Sequence, residues 1–219
     1  MKHVVKGVEP EDFRAWKKRA SVDWKPDYAS LQNPEKRSLH KSLLQEQGWV
    51  CCYCGNRVSL DDSHIEHFHP QKCYPESALE YGNLHASCTS NPGTPLHCGH
   101  AKGHRFDTSF ISPLEPNCEL RFIYGGIGGE IFSSNKTDAA ATNMIDVLKL
   151  NIPILKNKRK ALLNTILSPD FLGNATNEEL TILWMHYRKT DVEGKLQSFA
   201  HVVTRFIEQN FPFVINVQI

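Results

Sequence analysis

Four cysteines between positions 51 and 98 have the residue type and spacing of a zinc site. Cys51 and Cys54 form a Cys-x-x-Cys whose tight turn presents two thiolates to one tetrahedral metal, and Gly55 permits the left-handed backbone of such turns. Cys88 and Cys98 form a second pair. The spacing between them is longer than the about two to four residues that usually separate paired zinc ligands. The sequence therefore predicts one structural zinc held by Cys51, Cys54, Cys88 and Cys98.

The wide second pair leaves alternatives for this metal site. Cys52, His97 or Cys73 could replace one member of the quartet. Seven cysteines is an odd count, and cysteines clustered near histidines in a reducing compartment are more often metal ligands than disulfides. Cys73 and Cys118 are interpreted as ordinary loop or buried thiols.

Residues 64–70 read His-Ile-Glu-His-Phe-His-Pro and lie between the two cysteine pairs. Alternation along a strand would place His64, Glu66 and Phe68 on one face and the intervening residues on the other. A carboxylate such as Glu66 binds a hard divalent cation, and the neutral imidazole of His67 can take a proton from water. This pair of residues predicts a site that hydrolyses phosphodiester bonds.

Two histidines and an asparagine further along the chain could complete such a site. His100 and His104 stand at i and i+4, so on a helix they would face the same way and could share one metal. Asn83 could hydrogen-bond across a loop and hold His67 in one tautomer. The alternatives are that His100 replaces Cys98 in the zinc site and that His104 is an ordinary surface histidine.

The order of these motifs resembles the HNH endonucleases of the ββα-metal type. The segments 65–68, 83–84, 98–103 and 111–116 are similar to the PtuB family, the HNH subunits of Septu and retron-associated anti-phage systems. By motif, the resemblance spans residues 49–131, and the helical flanks fit the family layout.

The resemblance implies a role for each matching residue. His67 would be the general base, Glu66 would bind a catalytic Mg²⁺ or Mn²⁺, and Asn83 would orient the loop and His67. The commonest position of the last family residue directly follows the last cysteine, where this chain has Gly99. The role would therefore fall to one of the two downstream histidines, His100 or His104.

The resemblance also implies partners. The substrate would be nucleic acid, DNA or RNA, and the partner an ABC/SMC-like ATPase of the PtuA type, with a retron reverse transcriptase and its msDNA as a further candidate. The C-terminal helices and the apolar tail 211–215 could dock such a partner or form part of the chain's own core.

Candidate nucleic-acid contacts are local, because the net charge of +1 gives no bulk basic signal. Lys102 could neutralise a phosphate next to the site. A predicted helix carries a basic cluster that could grip the backbone or simply be a solvated face: Lys156, Lys158, Arg159 and Lys160.

The elements that must position these residues indicate an α+β protein. We expect a zinc-stapled ββα-metal core at 49–108, which needs its metal to fold, a helical region at 1–48, and a hairpin with helices at 109–219. Helices are predicted near 11–20, 33–47, 141–150, 153–167, 177–187 and 194–208, with a hairpin at 120–124 and 130–132.

Two further features limit the functional classes. The glycines at 125–129 are interpreted as turn residues, because no Lys-Ser/Thr and no helix follows them as in a phosphate loop. With neither a membrane-spanning apolar run nor a secretory signal in the sequence, we expect a cytoplasmic protein without membrane association.

Three functions fit these observations. The first is a metal-dependent nuclease that acts as the effector of a defence complex. The second is a zinc-knuckle module that binds nucleic acid or protein without cleaving it. The third, a redox or metal sensor built on residues 51–54, would leave the Glu-His pair idle. Convergence of Glu66, His67 and a downstream histidine away from the cysteines would favour the nuclease.

Overall fold

The computed structural model describes residues 1–90, 93–125 and 128–212. Parts of three sequence predictions lie outside these residues. They are positions 91–92 of the insertion between Cys88 and Cys98, positions 126–127 of the glycine turn, and positions 213–215 of the apolar tail.

The described residues form a mixed structure of helices and two small antiparallel sheets, which confirms the α+β prediction. The strands are β1 (Ser63–His67), β2 (Leu84–Cys88), β3 (Phe122–Tyr124) and β4 (Ile131–Ser133). The helices are α1 (Glu11–Lys17), α2 (Glu35–Glu46), α3 (Cys98–Lys102), α4 (Ala139–Val147), α5 (Pro153–Ile166), α6 (Pro169–Asn174), α7 (Asn177–Arg188) and α8 (Ala200–Asn210).

The middle of the chain consists of β1, β2 and the short helix α3. β1 pairs antiparallel with β2, so that Ser63 lies opposite Cys88 and His67 lies opposite Leu84. The first cysteine pair joins this sheet through the backbone, because the Cys52 N–H donates to the Ala86 carbonyl over 3.1 Å. The pairing therefore brings the start of β1 and the end of β2 close to the Cys-x-x-Cys turn.

Helix α2 packs its apolar face inward and leads into this turn. The face formed by Leu39, Leu43 and Leu44 is fully buried. Gly48, which lies just after the helix, has a φ of 65°, a conformation that glycine adopts without strain. The Gln47 side chain accepts from the Ala86 N–H and donates to the Ala86 carbonyl, at 2.7 and 2.9 Å. These bonds fix the end of α2 to β2.

The C-terminal region follows the predicted hairpin and helices, with two differences. α6 was not predicted, because its six residues are too few for a clear apolar period. The last helix begins at Ala200 rather than at 194. The backbone N–H groups of Leu196 and Phe199 donate instead to the carbonyls of Gly48 and Gly55, so this segment packs against the Cys-x-x-Cys turn.

One cluster of buried hydrophobic residues extends through all three predicted regions. It includes Phe13 and Leu43 from the first region, Leu84 from the second, and Phe122 and Ile207 from the third. In the described part of the chain, no helix has both the length and the apolar character needed to cross a membrane.

Candidate active site and metal centre

The structure brings the four predicted cysteines together in a buried cluster. The Sγ atoms of Cys51, Cys54, Cys88 and Cys98 all lie within 4.8 Å of one another. The Sγ atoms of Cys54 and Cys88 are 3.7 Å apart. Zn–S bonds of about 2.3 Å in a tetrahedron place two sulfurs about 3.8 Å apart. The cluster therefore fits a zinc ion, which these four thiolates would hold.

The alternative zinc ligands lie outside this quartet. His97 Nδ1 is 3.4 Å from Cys88 Sγ and 3.3 Å from Cys98 Sγ, where a protonated nitrogen can donate to the thiolates. The backbone N–H of Asn56 likewise donates to Cys54 Sγ at 3.4 Å. Cys73 is exposed. We interpret His97 and Asn56 as groups that orient the sulfurs.

Gly55 has the left-handed conformation predicted for the residue after the Cys-x-x-Cys, with a φ of 76°. A second constraint was not visible in the sequence. A side chain at this position would collide with the buried ring of His201 on α8. The glycine therefore serves both the turn and its packing against the C-terminal region.

A separate open cleft of about 340 Å³ lies beside the cysteine cluster. None of the four cysteines is among the residues that line it. The predicted site residues on this cleft are Glu66, His67, His100 and His104, and His64 and Gly99 lie with them.

Glu66 is held with its two oxygens in different surroundings. Oε1 accepts a hydrogen bond from the Tyr53 hydroxyl at 3.1 Å and pairs with Lys102 Nζ at 3.0 Å. Oε2 lies 3.4 Å from His64 Nε2. Burial raises the pKa of the Glu66 carboxyl, but His64 and Lys102 lower it, and the net shift is downward. Glu66 is therefore ionised at neutral pH, with Oε2 available to a cation.

Lys102 differs from the expectation that it neutralises a substrate phosphate. Its side chain is 1% exposed, and its Nζ donates to the carbonyls of His67 and Phe68 at 2.9 and 3.3 Å in addition to pairing with Glu66. A buried ammonium with these partners does not reach substrate. Lys102 instead stabilises the Glu66 carboxylate and ties α3 to the end of β1.

His67 is buried at the end of β1, and its tautomer follows from one contact. Nε2 lies 3.1 Å from the Ala78 carbonyl oxygen, which can only accept, so Nε2 carries the proton and Nδ1 has the free lone pair. The ring packs edge to face against Tyr28, with centroids 4.4 Å apart. Burial lowers the pKa of His67 below its usual value of 6.5. The imidazole is therefore a neutral base at pH 7.

Asn83 fastens the loop that follows β1. Its Oδ1 accepts from the His69 N–H at 2.7 Å, and its Nδ2 donates to the carbonyls of His69 and Ser77 at 3.0 and 2.9 Å. Ala78, which fixes the His67 tautomer, directly follows Ser77. Asn83 thus acts on the loop that carries the partner of His67.

The two downstream histidines do not lie on one helix, so that prediction is wrong. α3 ends at Lys102, and Gly103 turns the chain with a φ of 54° before His104, which is exposed. His100 stays on α3 and stacks on His64, with ring centroids 4.3 Å apart. Its Nδ1 accepts from the Ser90 N–H at 3.2 Å, so a neutral His100 has its proton on Nε2.

His64 was missed among the predicted site residues. Its Nε2 lies 3.4 Å from Glu66 Oε2, and its ring stacks on that of His100. Strand alternation had placed it on the same face as Glu66, which was the available signal. The helical spacing of His100 and His104 instead favoured those two residues.

Gly99 is the position where His64 and Glu66 meet α3. A Cβ there would collide with Glu66 Oε2 and lie 2.7 Å from His64 Nε2. We expect Gly99→Ala to displace both groups and weaken Mn²⁺ binding at least about tenfold, with a loss of about 1–3 kcal/mol in the free energy of unfolding from overpacking. Manganese binding followed by electron paramagnetic resonance and urea unfolding would measure the two effects.

Gly173→Ala on α6 is the matched control, because a Cβ at that position meets nothing within 4 Å. It should leave both quantities unchanged or slightly increase stability. Equal Mn²⁺ affinity in the two alanine variants would contradict the crowding of Glu66 and His64 against Gly99.

The predicted basic cluster on α5 divides in the structure. Arg159 is 1% exposed and donates to the carbonyls of Gly129 and Leu150 at 2.7 and 2.8 Å, so it is a structural cation and not a nucleic-acid contact. Lys156 pairs with Glu130. Lys158 and Lys160 are exposed, and none of these four residues lines the cleft of Glu66.

Comparison with known proteins shows a similarity to a protein described as a nuclease. The chain is 30% identical over 131 residues to a Vibrio cholerae serotype O1 biovar El Tor protein described as "Retron Vc95 putative HNH endonuclease". The match covers 57% of this chain and 63% of the relative, so the chain spans less than two thirds of the relative's length. No family model matches the chain.

Proposed function

We propose that this chain is a metal-dependent HNH endonuclease that hydrolyses phosphodiester bonds of nucleic acid. The observation that carries the proposal is the meeting of Glu66, His64 and His67 at one open cleft, separate from the four cysteines. In this proposal β1, β2 and α3 form the ββα-metal core, and the cysteine quartet holds a structural zinc. The similarity to a protein described as an HNH endonuclease supports the same class.

Glu66 Oε2 and His64 Nε2 would hold the catalytic divalent ion, Mg²⁺ or Mn²⁺. Their separation of 3.4 Å suits two ligands of one ion. When bound, the ion supplies Lewis-acid stabilisation of the charge that develops on the phosphate and the leaving oxygen. The stacked ring of His100 would position His64, and the exposed His104 would contribute at the rim of the cleft.

His67 would act as the general base. Its Nδ1 lone pair takes a proton from the attacking water, while Nε2–H stays hydrogen-bonded to the Ala78 carbonyl. The imidazolium that forms is stabilised by this carbonyl and by the nearby Glu66 carboxylate, both of which raise the pKa of His67. Asn83 would keep Ala78 in place through the loop that it binds.

The pH dependence of cleavage should report on His67. Because burial lowers its pKa below 6.5, the base stays neutral as the pH falls through that value, and the rate should decline only at lower pH. Single-turnover cleavage measured from acid to neutral pH at saturating Mg²⁺ would locate the pH at which the rate falls. A fall in rate that begins above pH 6.5 would show that another group limits the reaction.

A direct test is cleavage of labelled DNA and RNA by the zinc-loaded protein with Mg²⁺, with Mn²⁺ and without added divalent ion. We expect cleavage only with the added ion and one Mn²⁺ bound per chain besides the zinc. A protein that binds nucleic acid but neither cleaves it nor binds Mn²⁺ would instead be a zinc-knuckle binding module.

We further propose that the nuclease is the effector of an anti-phage defence complex. The support is the name of the relative, which places that protein in a retron. The partners would be a PtuA-type ABC/SMC-like ATPase and a reverse transcriptase with its msDNA, in the cytoplasm. Co-purification of tagged chain with candidate partners, and phage plating with wild type against His67→Ala, would test this role.

A further inference from the structure

A second cleft of about 330 Å³ adjoins the candidate active site. His64 and Ile65 line both clefts, so the two meet along β1. No aspartate or glutamate is among the described residues that line the second cleft, whereas Lys36, Arg37 and His40 of α2 do so. Its charged lining is therefore entirely basic.

The cations of this cleft are not neutralised by neighbouring acids. Arg37 is exposed and has no acidic partner among the described residues. Lys36 Nζ lies 5.0 Å from the centre of the Tyr28 ring and has no carboxylate partner in the same set. The adjacent Glu35 pairs with Arg19 at 3.3 Å, and neither of these residues lines the cleft. Two positive charges are thus free for an anionic ligand.

Two residues that line this cleft contact β1 close to the candidate active site. Tyr28 packs against the His67 ring, and His40 Nε2 lies 2.9 Å from Ser63 Oγ on β1. Burial lowers the pKa of His40 to about 4, so this ring is uncharged at neutral pH and offers polar contact without charge. A strand whose scissile phosphate lies beside Glu66 would have its neighbouring phosphates next to α2.

We propose that Lys36 and Arg37 bind the phosphate backbone of the substrate strand on one side of the scissile phosphate. We call this pair of residues the track. This inference rests on the proposed nuclease function and deepens it. The ligand chemistry is a run of phosphodiesters, and the contacts are to phosphate and not to base edges. The exposed lysines of α5, by contrast, line neither this cleft nor that of Glu66.

The experiment measures nucleic-acid binding without cleavage. In the His67→Ala protein, the affinity for labelled single-stranded DNA, duplex DNA and single-stranded RNA is determined by fluorescence anisotropy at several salt concentrations. Lys36→Ala with Arg37→Ala is compared with Lys136→Ala with Lys189→Ala. The control pair removes the same charge from exposed positions that line neither cleft.

We expect the α2 double variant to bind at least one of the three ligands about 10-fold more weakly near physiological salt. The slope of log K against log salt should decrease by about 1.4 to 1.8, since each lost phosphate contact contributes about 0.7 to 0.9. The charge-matched control should retain affinity and slope. The ligand most affected identifies the strand that the track accepts.

Equal affinities in the two double variants would overturn the track, as would weaker binding only after Lys158→Ala with Lys160→Ala on α5. No measurable binding of any of the three ligands would also overturn it. Failure of the nuclease proposal is separate, because it shows as absent cleavage by the unmutated chain. Circular dichroism and zinc content of each variant verify that the fold is unchanged.

Discussion

Replacing Cys54 with serine is expected to abolish stoichiometric zinc binding and to leave the chain without a cooperative folded state. The four thiolates come from the turn after α2, the end of β2 and the start of α3, so one bound ion would connect three separate elements. Structural zinc contributes an apparent free energy of about 10–16 kcal/mol. This is comparable to the whole stability of a typical domain, about 5–15 kcal/mol. Zinc content by mass spectrometry and thermal unfolding by circular dichroism would measure the loss.

Cys73→Ser is the matched control for this prediction. Cys73 is exposed, and its thiol makes a weak contact with the His104 carbonyl at 3.9 Å. That variant should keep one zinc per chain and the wild-type melting temperature. A Cys54→Ser protein that melts cooperatively near the wild-type temperature would show that the buried hydrophobic cluster folds the middle region without the metal.

The cysteine quartet could be predicted because few kinds of site accommodate clustered thiolates. A buried thiolate in a reducing compartment has few partners, and the Cys-x-x-Cys already fixes half of a tetrahedral site. The long helices could be predicted from apolar residues at helical spacing, as Leu39 and Leu43 of α2 illustrate. Glu66 and His67 likewise stood out because two kinds of catalytic group are adjacent.

The direction of individual long side chains could not be predicted. Lys102 and Arg159 look like surface cations in the sequence, but each donates to buried carbonyl oxygens from distant segments. Those partners become adjacent only after the sheets and helices pack. The helical placement of His104 failed for a related reason, because α3 has only five residues and Gly103 ends it.

His64 shows where a stronger inference was available. Strand alternation placed it beside Glu66, and Gly99 removed the side chain that the family places after the last cysteine. Together these two facts indicate that a residue from β1 fills the space next to the carboxylate. The structure shows this arrangement, with both side chains crowding Gly99.

His67→Ala is expected to lower the cleavage rate at least about 10²- to 10⁴-fold, the usual contribution of a general base. Because His67 would take the proton while Glu66 and His64 would hold the ion, Mn²⁺ affinity should be unchanged in this variant. His64→Ala should instead weaken Mn²⁺ binding, and its cleavage rate should partly recover at high Mn²⁺ concentration. Single-turnover cleavage and Mn²⁺ titration by electron paramagnetic resonance separate the two roles.

His186→Ala is the control for both variants, because His186 is exposed on α7 and lines neither cleft. It should keep the wild-type rate and Mn²⁺ affinity. Glu66→Gln is less informative, since it leaves the buried Lys102 ammonium without its carboxylate, at a cost of about 3–5 kcal/mol in stability. If His67→Ala cleaved as fast as wild type, the proton would have to leave through another group, and the exposed His104 at the rim of the same cleft would be the next to replace.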